Sequence, residues 1–291
     1  MTIILEQPRY VRLGTRDLGQ ATRFATEILG LQHLGTNGGY AYFRSDFRDH
    51  TLCYVEGDPA YQSVALDVRT AEALEEAERE LSAAGFRARR GSTAECEERR
   101  VKAFIAFADR SGNTIEVVWR PLMTGWRYFP SRDTGITGFQ GVALRSTDPA
   151  ADERMWTRLF NGRVSDWVGD AAYVRLDALH HRVSLHPSDR PGVLAVLYAV
   201  ESINQVMQGY YHLRDGQVRI VHGPGRQPTS NQIFLTFEGP DGVLFSFVTG
   251  IDQIADEERH RPRQFAHTPL SYCQWGTECA LPEFGGSARP G

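Results

Sequence analysis

Apolar residues along this chain change their spacing in a recurring order. The first stretch, residues 10–14, alternates apolar and polar positions, which predicts a β-strand. Residues 18–29 then place apolar side chains on one helical face, and Gly30 follows where a C-cap glycine is expected. Short strands are predicted at 41–44 and 51–55. A strand, a helix and further strands therefore form the unit from which the chain is built.

The same order recurs in three further segments, so the chain is a fourfold repeat. In the second segment a helix is predicted at 70–84 and strands at 63–68, 103–107 and 114–119. In the third, the helix is at 149–160 and the strands are at 141–145, 172–176 and 182–185. In the fourth, the helix is at 202–213 and the strands are at 193–200, 217–221, 231–237 and 243–248. This order predicts an α+β protein of four βαβββ modules paired into two domains. We place the domains at residues 1–121 and 137–250, joined by a linker that contains Pro and Gly, and expect the tail, residues 251–291, to pack on the scaffold.

Composition excludes several classes of function. Apolar residues make up 41% and charged residues 23% of the 291 residues, as in an ordinary soluble globular protein. A net charge of −4 without a basic patch argues against nucleic acid as a partner, and no apolar stretch approaches the roughly 18 residues that suggest a membrane span. The first ten residues have no basic region and too short an apolar run to predict a secretory signal, and the four cysteines lack the spacing of a zinc site. We therefore expect a cytoplasmic protein with reduced thiols.

Three local sequences give this repeat a family resemblance. They are FATEILGL at residues 24–31, the pair His180-His181, and RPRQF…CQWG within residues 261–276. The four modules resemble the vicinal oxygen chelate superfamily. Within that superfamily, the three local sequences resemble the type I extradiol dioxygenases of the 2,3-dihydroxybiphenyl 1,2-dioxygenase kind. The resemblance implies the glyoxalase/bleomycin resistance/extradiol dioxygenase fold, an apolar cup in the second domain for a small aromatic substrate, and assembly into a homo-oligomer.

The metal ligands of that family are missing from this sequence. The resemblance implies Fe(II) held by two histidines and a glutamate, but the three corresponding positions are Gly141, Ala195 and Ser246. We therefore predict that the cup holds neither a metal nor another cofactor, and that these three residues contact the substrate instead. Gln140 is a poor replacement, because successive residues of a strand point to opposite faces. At the equivalent positions the first domain carries Tyr10, Ser63 and Glu116.

One of three helper positions of the family is kept. The resemblance implies that the second histidine of the pair, His181, exchanges protons with the substrate; the other two helpers correspond to Gln227 and Thr236, which we expect to contact the substrate. Strand alternation predicts that His181 faces the interior with Val183 and Leu185, and that the residues between them face away. Burial lowers the pKa of a histidine, so His181 is a candidate neutral base near pH 7, with a structural role as the alternative.

Two tyrosines, a serine and two short segments complete the candidates. Tyr173 and Tyr198 are candidates for hydrogen bonds to a phenol or a carbonyl of the substrate, with packing in the core as the alternative. Ser246 lacks the surrounding glycines of a nucleophile elbow, which argues against a catalytic serine. The charged run at residues 95–100 is expected to be a solvated loop, and residues 223–225 are expected to form turns.

Three functions are consistent with these residues. The first, which we favour, is a metal-independent enzyme that acts on a phenolic, quinone-like or ring-cleaved aromatic compound, by acid/base chemistry or cofactor-free oxygenation centred on His181. The second is a binding or sequestration protein for an aromatic ligand. The third is an Fe(II)-dependent extradiol catechol dioxygenase whose metal site is wrongly assigned above. Retention of His181 favours the first function over the second, because sequestration needs no base.

Overall fold

Two mixed β-sheets, one in each half of the chain, form the framework of the computed structural model, which describes residues 2–286. The first sheet contains β1 (Pro8–Thr15), β2 (Gln32–Asn37), β3 (Tyr40–Arg44), β4 (Leu52–Glu56), β5 (Gln62–Val68), β6 (Arg89–Arg90), β7 (Val101–Ala108) and β8 (Thr114–Pro121). The second contains β9 (Ile136–Ser146), β10 (Arg163–Val168), β11 (Ala171–Arg175), β12 (Val183–Pro187), β13 (Gly192–Val200), β14 (Ile220–Arg226), β15 (Ile233–Glu238), β16 (Leu244–Thr249) and β17 (Arg263–Phe265). The helices are α1 (Leu18–Arg23), extended by a π-helical turn at Phe24–Ile28, α2 (Ala71–Ala83), α3 (Thr93–Arg99), α4 (Pro149–Arg158), α5 (Ile203–Asp215) and α6 (Pro269–Tyr272), with short 3₁₀ turns at Pro240–Gly242 and Pro282–Phe284.

Each sheet joins two four-strand modules through their first strands. In the first sheet β1 and β5 run antiparallel at the centre, and each pairs in parallel with the last strand of its own module, β4 or β8. The second sheet repeats this plan with β9 and β13 at the centre, parallel to β12 and β16 respectively. This strand order confirms the predicted α+β fold of four βαβββ modules.

One helix follows the first strand of each module and packs on the same face of its sheet. α2 shows how the sequence specifies such a helix, because Thr70 caps it by accepting a hydrogen bond from the backbone N–H of Ala73 at 3.1 Å. The apolar residues beneath these helices form one core that continues through both halves, where Phe107 and Phe160 lie 6.1 Å apart between ring centroids. Among the helices of residues 2–286, none is long and apolar enough to cross a membrane.

The opposite face of each sheet lines a cup. We define the N-terminal cup as the face that carries Tyr10, Ser63 and Glu116, and the C-terminal cup as the face that carries Ala195, Thr236 and Ser246. Strand alternation separates cup from core: on β13, Ala195 and Leu197 lie on the cup side, whereas Val196 and Tyr198 belong to the core.

Two segments expected to be loops are regular structure. Residues 95–100 were expected to be solvated, but most of them belong to α3, which buries Arg99 so that it pairs with Glu116 at 2.9 Å. That prediction is wrong because the charged run has a buried partner distant in sequence. Residues 223–225 lie inside β14, so the predicted turns are also wrong. Gly225 fits there because a Cβ atom would lie 2.5 Å from the sulfur of Cys273.

The tail packs on the second sheet. β17 pairs in parallel with β10, and Tyr272 and Cys273 are buried. Residues 287–291, which belong to the predicted tail, lie outside the described residues.

Candidate functional site

The C-terminal cup encloses a cavity of about 30 Å³, which has room for one or two water molecules. Strands of the second sheet form most of its wall, and Tyr272 and Phe284 of the tail close it. The polar side chains at the wall are His181, Ser184, His186, His222, Gln227, Gln232, Thr236, Ser246 and Tyr272. Among the described residues that line it there is no carboxylate, so the cavity combines neutral polar groups with an apolar floor.

Five of the predicted site residues meet at this cavity. They are His181, Ala195, Gln227, Thr236 and Ser246. Thr236 and Ser246 are cross-strand partners on β15 and β16, and their hydroxyl oxygens lie 2.7 Å apart. Ala195 lies on β13, the other neighbour of β16. The structure thus brings these residues together, and their contact with a substrate remains a prediction.

Gly141, the first of the three ligand positions, has no space for a side chain. A Cβ atom there would lie 2.1 Å from the carbonyl oxygen of Arg182, a backbone atom that cannot rotate away. The same oxygen accepts a hydrogen bond from the N–H of Val142 at 3.0 Å. The backbone that follows the histidine pair therefore occupies the place of the missing ligand.

Gln140 was expected to point away from the cavity, and the structure corrects this. β9 and β13 change register here, so that Leu197 pairs with Gly141 but Tyr198 pairs with Phe139. Gln140 is buried at this bulge, and its Nε2 donates to Oε1 of Gln232, a cavity residue, at 2.7 Å. A bulge breaks simple alternation, which is why the sequence argument failed.

The donor set does not fit the iron site that the family resemblance implies. Gly141 has no room for a ligand, Ala195 offers no donor, and the hydroxyl of Ser246 is engaged with Thr236. Throughout residues 2–286, no three histidine, cysteine, aspartate or glutamate side chains are grouped so that they could hold a metal ion.

His181 stands at the end of a buried chain of hydrogen bonds. Its Nδ1 lies 3.1 Å from Nδ1 of His180, and Nε2 of His180 lies 3.0 Å from Oδ2 of Asp166. Arg263 completes the chain, with its backbone N–H 2.7 Å from Oδ1 and its Nη2 2.6 Å from Oδ2 of Asp166. Asp166, His180 and His181 are all buried.

The chain of hydrogen bonds fixes the tautomers if Asp166 is ionised. The carboxylate only accepts, so a His180 ring that carries one proton donates through Nε2 and accepts at Nδ1. His181 must then donate through Nδ1, which leaves the lone pair of its Nε2 free. Burial raises the pKa of Asp166, but hydrogen bonds from His180 and Arg263 outweigh this and hold it below its usual value. His181 is therefore oriented as a proton acceptor in the wall of the cavity.

Burial also keeps His181 neutral. It lowers the pKa of His181 well below 6.5, and the neighbouring His180, His186 and Arg182 add to the effect. A neutral imidazole at neutral pH is the form that can accept a proton from a substrate.

His181 lines the cavity, but the prediction that Val183 and Leu185 face the same way is wrong. Val183 and Leu185 belong to the core, whereas Ser184 and His186 line the cavity. His181 reaches the cavity because it precedes β12, which begins at Val183, and is not subject to the alternation of that strand.

Two histidines at the cavity were missed. His186 lies between the hydroxyl of Ser184 and the carbonyl oxygen of Glu283, each 3.1 Å from a ring nitrogen, and burial lowers its pKa to about 4. Nε2 of His222 is buried without a hydrogen-bond partner among the described residues. His186 lies two residues after Ser184 on β12, so strand alternation predicts that both face the cup once that strand is assigned to the correct face.

The two candidate tyrosines lie behind the cavity wall. Tyr173 is buried with its ring 5.0 Å from that of His181 in an edge-on arrangement, so it supports the histidine. Tyr198 is on the core face of β13, 6.0 Å from the ring of Phe139. This position corrects the expectation that Tyr198 contacts a ligand in the cup.

Comparison with known proteins agrees with this architecture. The family model described as the Glyoxalase/Bleomycin resistance protein/Dioxygenase superfamily matches residues 7–117 and 138–247. An iron-dependent extradiol dioxygenase of Rhodococcus jostii (strain RHA1) is 25% identical over 270 residues, covering 85% of this chain and 90% of that protein. A 1,2-dihydroxynaphthalene dioxygenase of Pseudomonas sp. (strain C18) is 24% identical over 224 residues, covering 71% of each.

Solved structures share the fold over nearly the whole chain. BphC, a halotolerant catechol dioxygenase, superposes with a TM-score of 0.86 at 19% identity and covers 97% of both chains. The Mn(II)-bound glyoxalase from Novosphingobium aromaticivorans gives a TM-score of 0.85 at 21% identity, covering 96% of this chain and 94% of that one. At such identities the likeness establishes the fold alone.

Proposed function

Because the chain belongs to the Glyoxalase/Bleomycin resistance protein/Dioxygenase superfamily, and its relatives include dioxygenases of aromatic diols, we propose that it is an enzyme acting on a small aromatic or aromatic-derived molecule. The compound is phenolic, quinone-like or ring-cleaved, and it binds in the C-terminal cup. His181 moves protons in the reaction without a metal ion.

The observation that carries this proposal is the chain from Asp166 through His180 to His181. When Nε2 of His181 takes a proton from a phenolic hydroxyl or an activated C–H group, the ring becomes cationic. Its Nδ1–H then donates a stronger hydrogen bond to His180, and the negative charge of Asp166 favours the cation. The same proton can return to another atom of the substrate, which gives an isomerisation, a cyclisation or an elimination. Cofactor-free oxygenation would begin with the same deprotonation.

The relatives and the residues favour different mechanisms. The name of the Rhodococcus protein favours iron, and the overall likeness supports an iron-dependent alternative for this chain. Against it stand Gly141, Ala195 and Ser246, which offer no triad, and the backbone oxygen that fills the first ligand position. Binding without catalysis is also less favoured, because a binding protein has no need of an oriented, neutral imidazole. Expectations of a cytoplasmic location and a homo-oligomer accompany the proposal.

A chromophoric catechol tests the proposal. 4-Nitrocatechol changes its absorbance spectrum when it loses a proton, so it reports on a base in the cup. With a chelator present, the wild-type protein should shift the bound probe to its anion at a pH where the free probe is mostly protonated. His181→Ala should lower the ionised fraction at least tenfold, whereas His212→Ala, which removes an imidazole outside the cup, should not. An anion spectrum that requires Fe(II), or that persists in His181→Ala, would overturn the proposal.

A further inference from the structure

Phe284 occupies an aromatic site at the wall of the C-terminal cup. Its ring centroid lies 5.2 Å from that of His186 and 5.8 Å from that of His222. Tyr272 packs edge-on against the same ring at 6.1 Å. All four residues line the cavity. A benzene-sized ring of the protein itself is therefore held among three other aromatic side chains where the cup would otherwise be open.

One residue anchors the segment that carries this ring, residues 281–286, which we call the plug segment. Oε1 of Glu283 accepts hydrogen bonds from Nε of Arg145 at 3.0 Å and from the hydroxyl of Ser188 at 3.1 Å. The carbonyl oxygen of Glu283 accepts from Nδ1 of His186 at 3.1 Å. Within residues 2–286 the remaining hydrogen bonds of the segment are local, such as that from Phe284 N–H to the carbonyl of Leu281.

The space left by the plug segment is too small for an aromatic compound. A cavity of roughly 150 Å³ holds one benzene molecule, whereas the cup leaves about 30 Å³. Entry of a ring therefore requires that a lining group moves. The strands that line the cup are fixed by their ladders of hydrogen bonds, but the plug segment belongs to no strand. Like other lining residues outside the strands, such as Gln227, Gln232 and Tyr272, it can move without breaking a sheet.

His222 adds a polar preference to this site. Its Nε2 is buried and has no hydrogen-bond partner among the described residues, although a buried polar nitrogen ordinarily has one. Phe284 cannot supply that bond, because its ring has no polar atom. A ring that carries a hydroxyl group would satisfy His222 and still fill the same volume.

We propose that the place of the Phe284 ring is the ring-binding subsite for a phenolic ligand, and that the ligand displaces the plug segment when it binds. This inference rests on the proposed function for the class of ligand, but it concerns binding and does not depend on proton transfer by His181. Phe284 competes with the ligand, so the affinity of the wild-type protein is the intrinsic affinity multiplied by the fraction of molecules in which the subsite is open.

Phenol is the probe that tests the subsite. Phe284→Ala should bind phenol at least tenfold more tightly than the wild-type protein in a calorimetric titration, and Phe284→Trp should not gain affinity. Phe265→Ala is the matched control, because Phe265 belongs to the same apolar cluster as Phe284 but does not line the cavity. Equal affinities of Phe284→Ala and wild type, with both folded by circular dichroism, would overturn the proposal, as would an equal gain in Phe265→Ala.

Hydrogen exchange of the wild-type protein provides a second test that needs no variant. Saturating phenol should speed exchange of the plug-segment amides at Phe284, Gly285 and Gly286, whose hydrogen bonds close its turns. Unchanged or slower exchange at saturation would contradict displacement.

The double variant Phe284→Ala/His181→Ala separates the two proposals. If His181 is not the base but the subsite is real, this variant keeps the gain in phenol affinity. If the subsite is wrong, Phe284→Ala gains nothing even where nitrocatechol is ionised.

Discussion

The two cups occupy equivalent places in the two sheets, yet their contents differ completely. In the N-terminal cup, Glu116 accepts hydrogen bonds from the hydroxyl of Tyr10 at 2.8 Å and from Nη2 of Arg99 at 2.9 Å, and all three side chains are buried. Arg12 lies beside them with its guanidinium over the rings of Tyr40 and Tyr61. Charged and aromatic groups fill this cup, and the carboxylate of Glu116 is paired within it.

In the C-terminal cup the corresponding positions are small and uncharged. Ala195 and Ser246 line a residual cavity, and Gly141 is closed against backbone. The buried carboxylate of Asp166 lies one layer behind and is linked to the cavity through His180 and His181. The same scaffold therefore carries two different sets of side chains and does not determine the chemistry of a cup by itself. Function depends on which groups fill the cup and whether one of them is left free to react.

The largest expected effect comes from breaking the network of the N-terminal cup. Glu116→Gln removes the negative charge and leaves Arg99 buried beside a neutral partner. We expect the free energy of unfolding to fall by about 3 kcal/mol, because buried Arg99 loses its close partner and keeps only the partly exposed carboxylate of Glu98, at 3.7 Å. In the C-terminal cup, Ser246→Ala at the equivalent position removes one neutral hydrogen bond and should cost about 1 kcal/mol. Denaturant unfolding of both variants measures the two changes in the free energy of unfolding. Equal changes would show that the position carries the same energetic weight in both cups.

Acid should act on the C-terminal cup through His186. Burial lowers its pKa from 6.5 to about 4, so between these two pH values the unfolded chain binds a proton that the folded chain does not. Stability must therefore decrease as the pH falls through this window. The side chain of His186→Asn does not titrate. We therefore expect the free energy of unfolding of this variant to fall by about 3 kcal/mol less than that of the wild type between pH 7 and pH 4. His181 of the same cup and His50 of the N-terminal cup also have lowered pKa values, so the difference between the two proteins is the relevant quantity. If the free energies of unfolding of His186→Asn and the wild type fall equally with pH, His186 is not responsible for the loss of stability in acid.

A single methyl group should distinguish the first ligand positions of the two cups. Position 10 accommodates a tyrosine, whereas Gly141→Ala would place Cβ 2.1 Å from the carbonyl oxygen of Arg182. We expect a loss of about 2 kcal/mol in the free energy of unfolding, because the backbone must shift. Gly138→Ala on the same strand is the control, since its nearest neighbour is a carboxylate oxygen of the Asp46 side chain at 3.2 Å. If Gly141→Ala is as stable as Gly138→Ala, the position is open and could accept a ligand.

The sequence predicts the framework of this molecule well, because each module repeats the same change of spacing. The family resemblance implied Ala195, Gln227, Thr236 and Ser246 as site residues, and all four line the cavity. Each of these residues lies in or beside a regular strand, where position along the chain determines position in space.

Residues at irregular places could not be predicted in this way. Gln140 lies at a bulge, and His186 was lost because β12 starts after His181 and reverses the assumed faces. Arg99 looked solvated because its partner Glu116 is distant in sequence. Phe284 lies in a tail without periodicity, so nothing in the sequence indicated that it enters the cup.

The central claim is that the C-terminal cup works without iron, and metal analysis combined with a ring-cleavage assay tests it most directly. The protein is purified without chelator, its iron content is measured, and cleavage of catechol is followed with and without added Fe(II). We expect iron far below one equivalent per chain and no cleavage with added Fe(II), because Gly141, Ala195 and Ser246 cannot form the triad. Stoichiometric iron together with ring cleavage would contradict it.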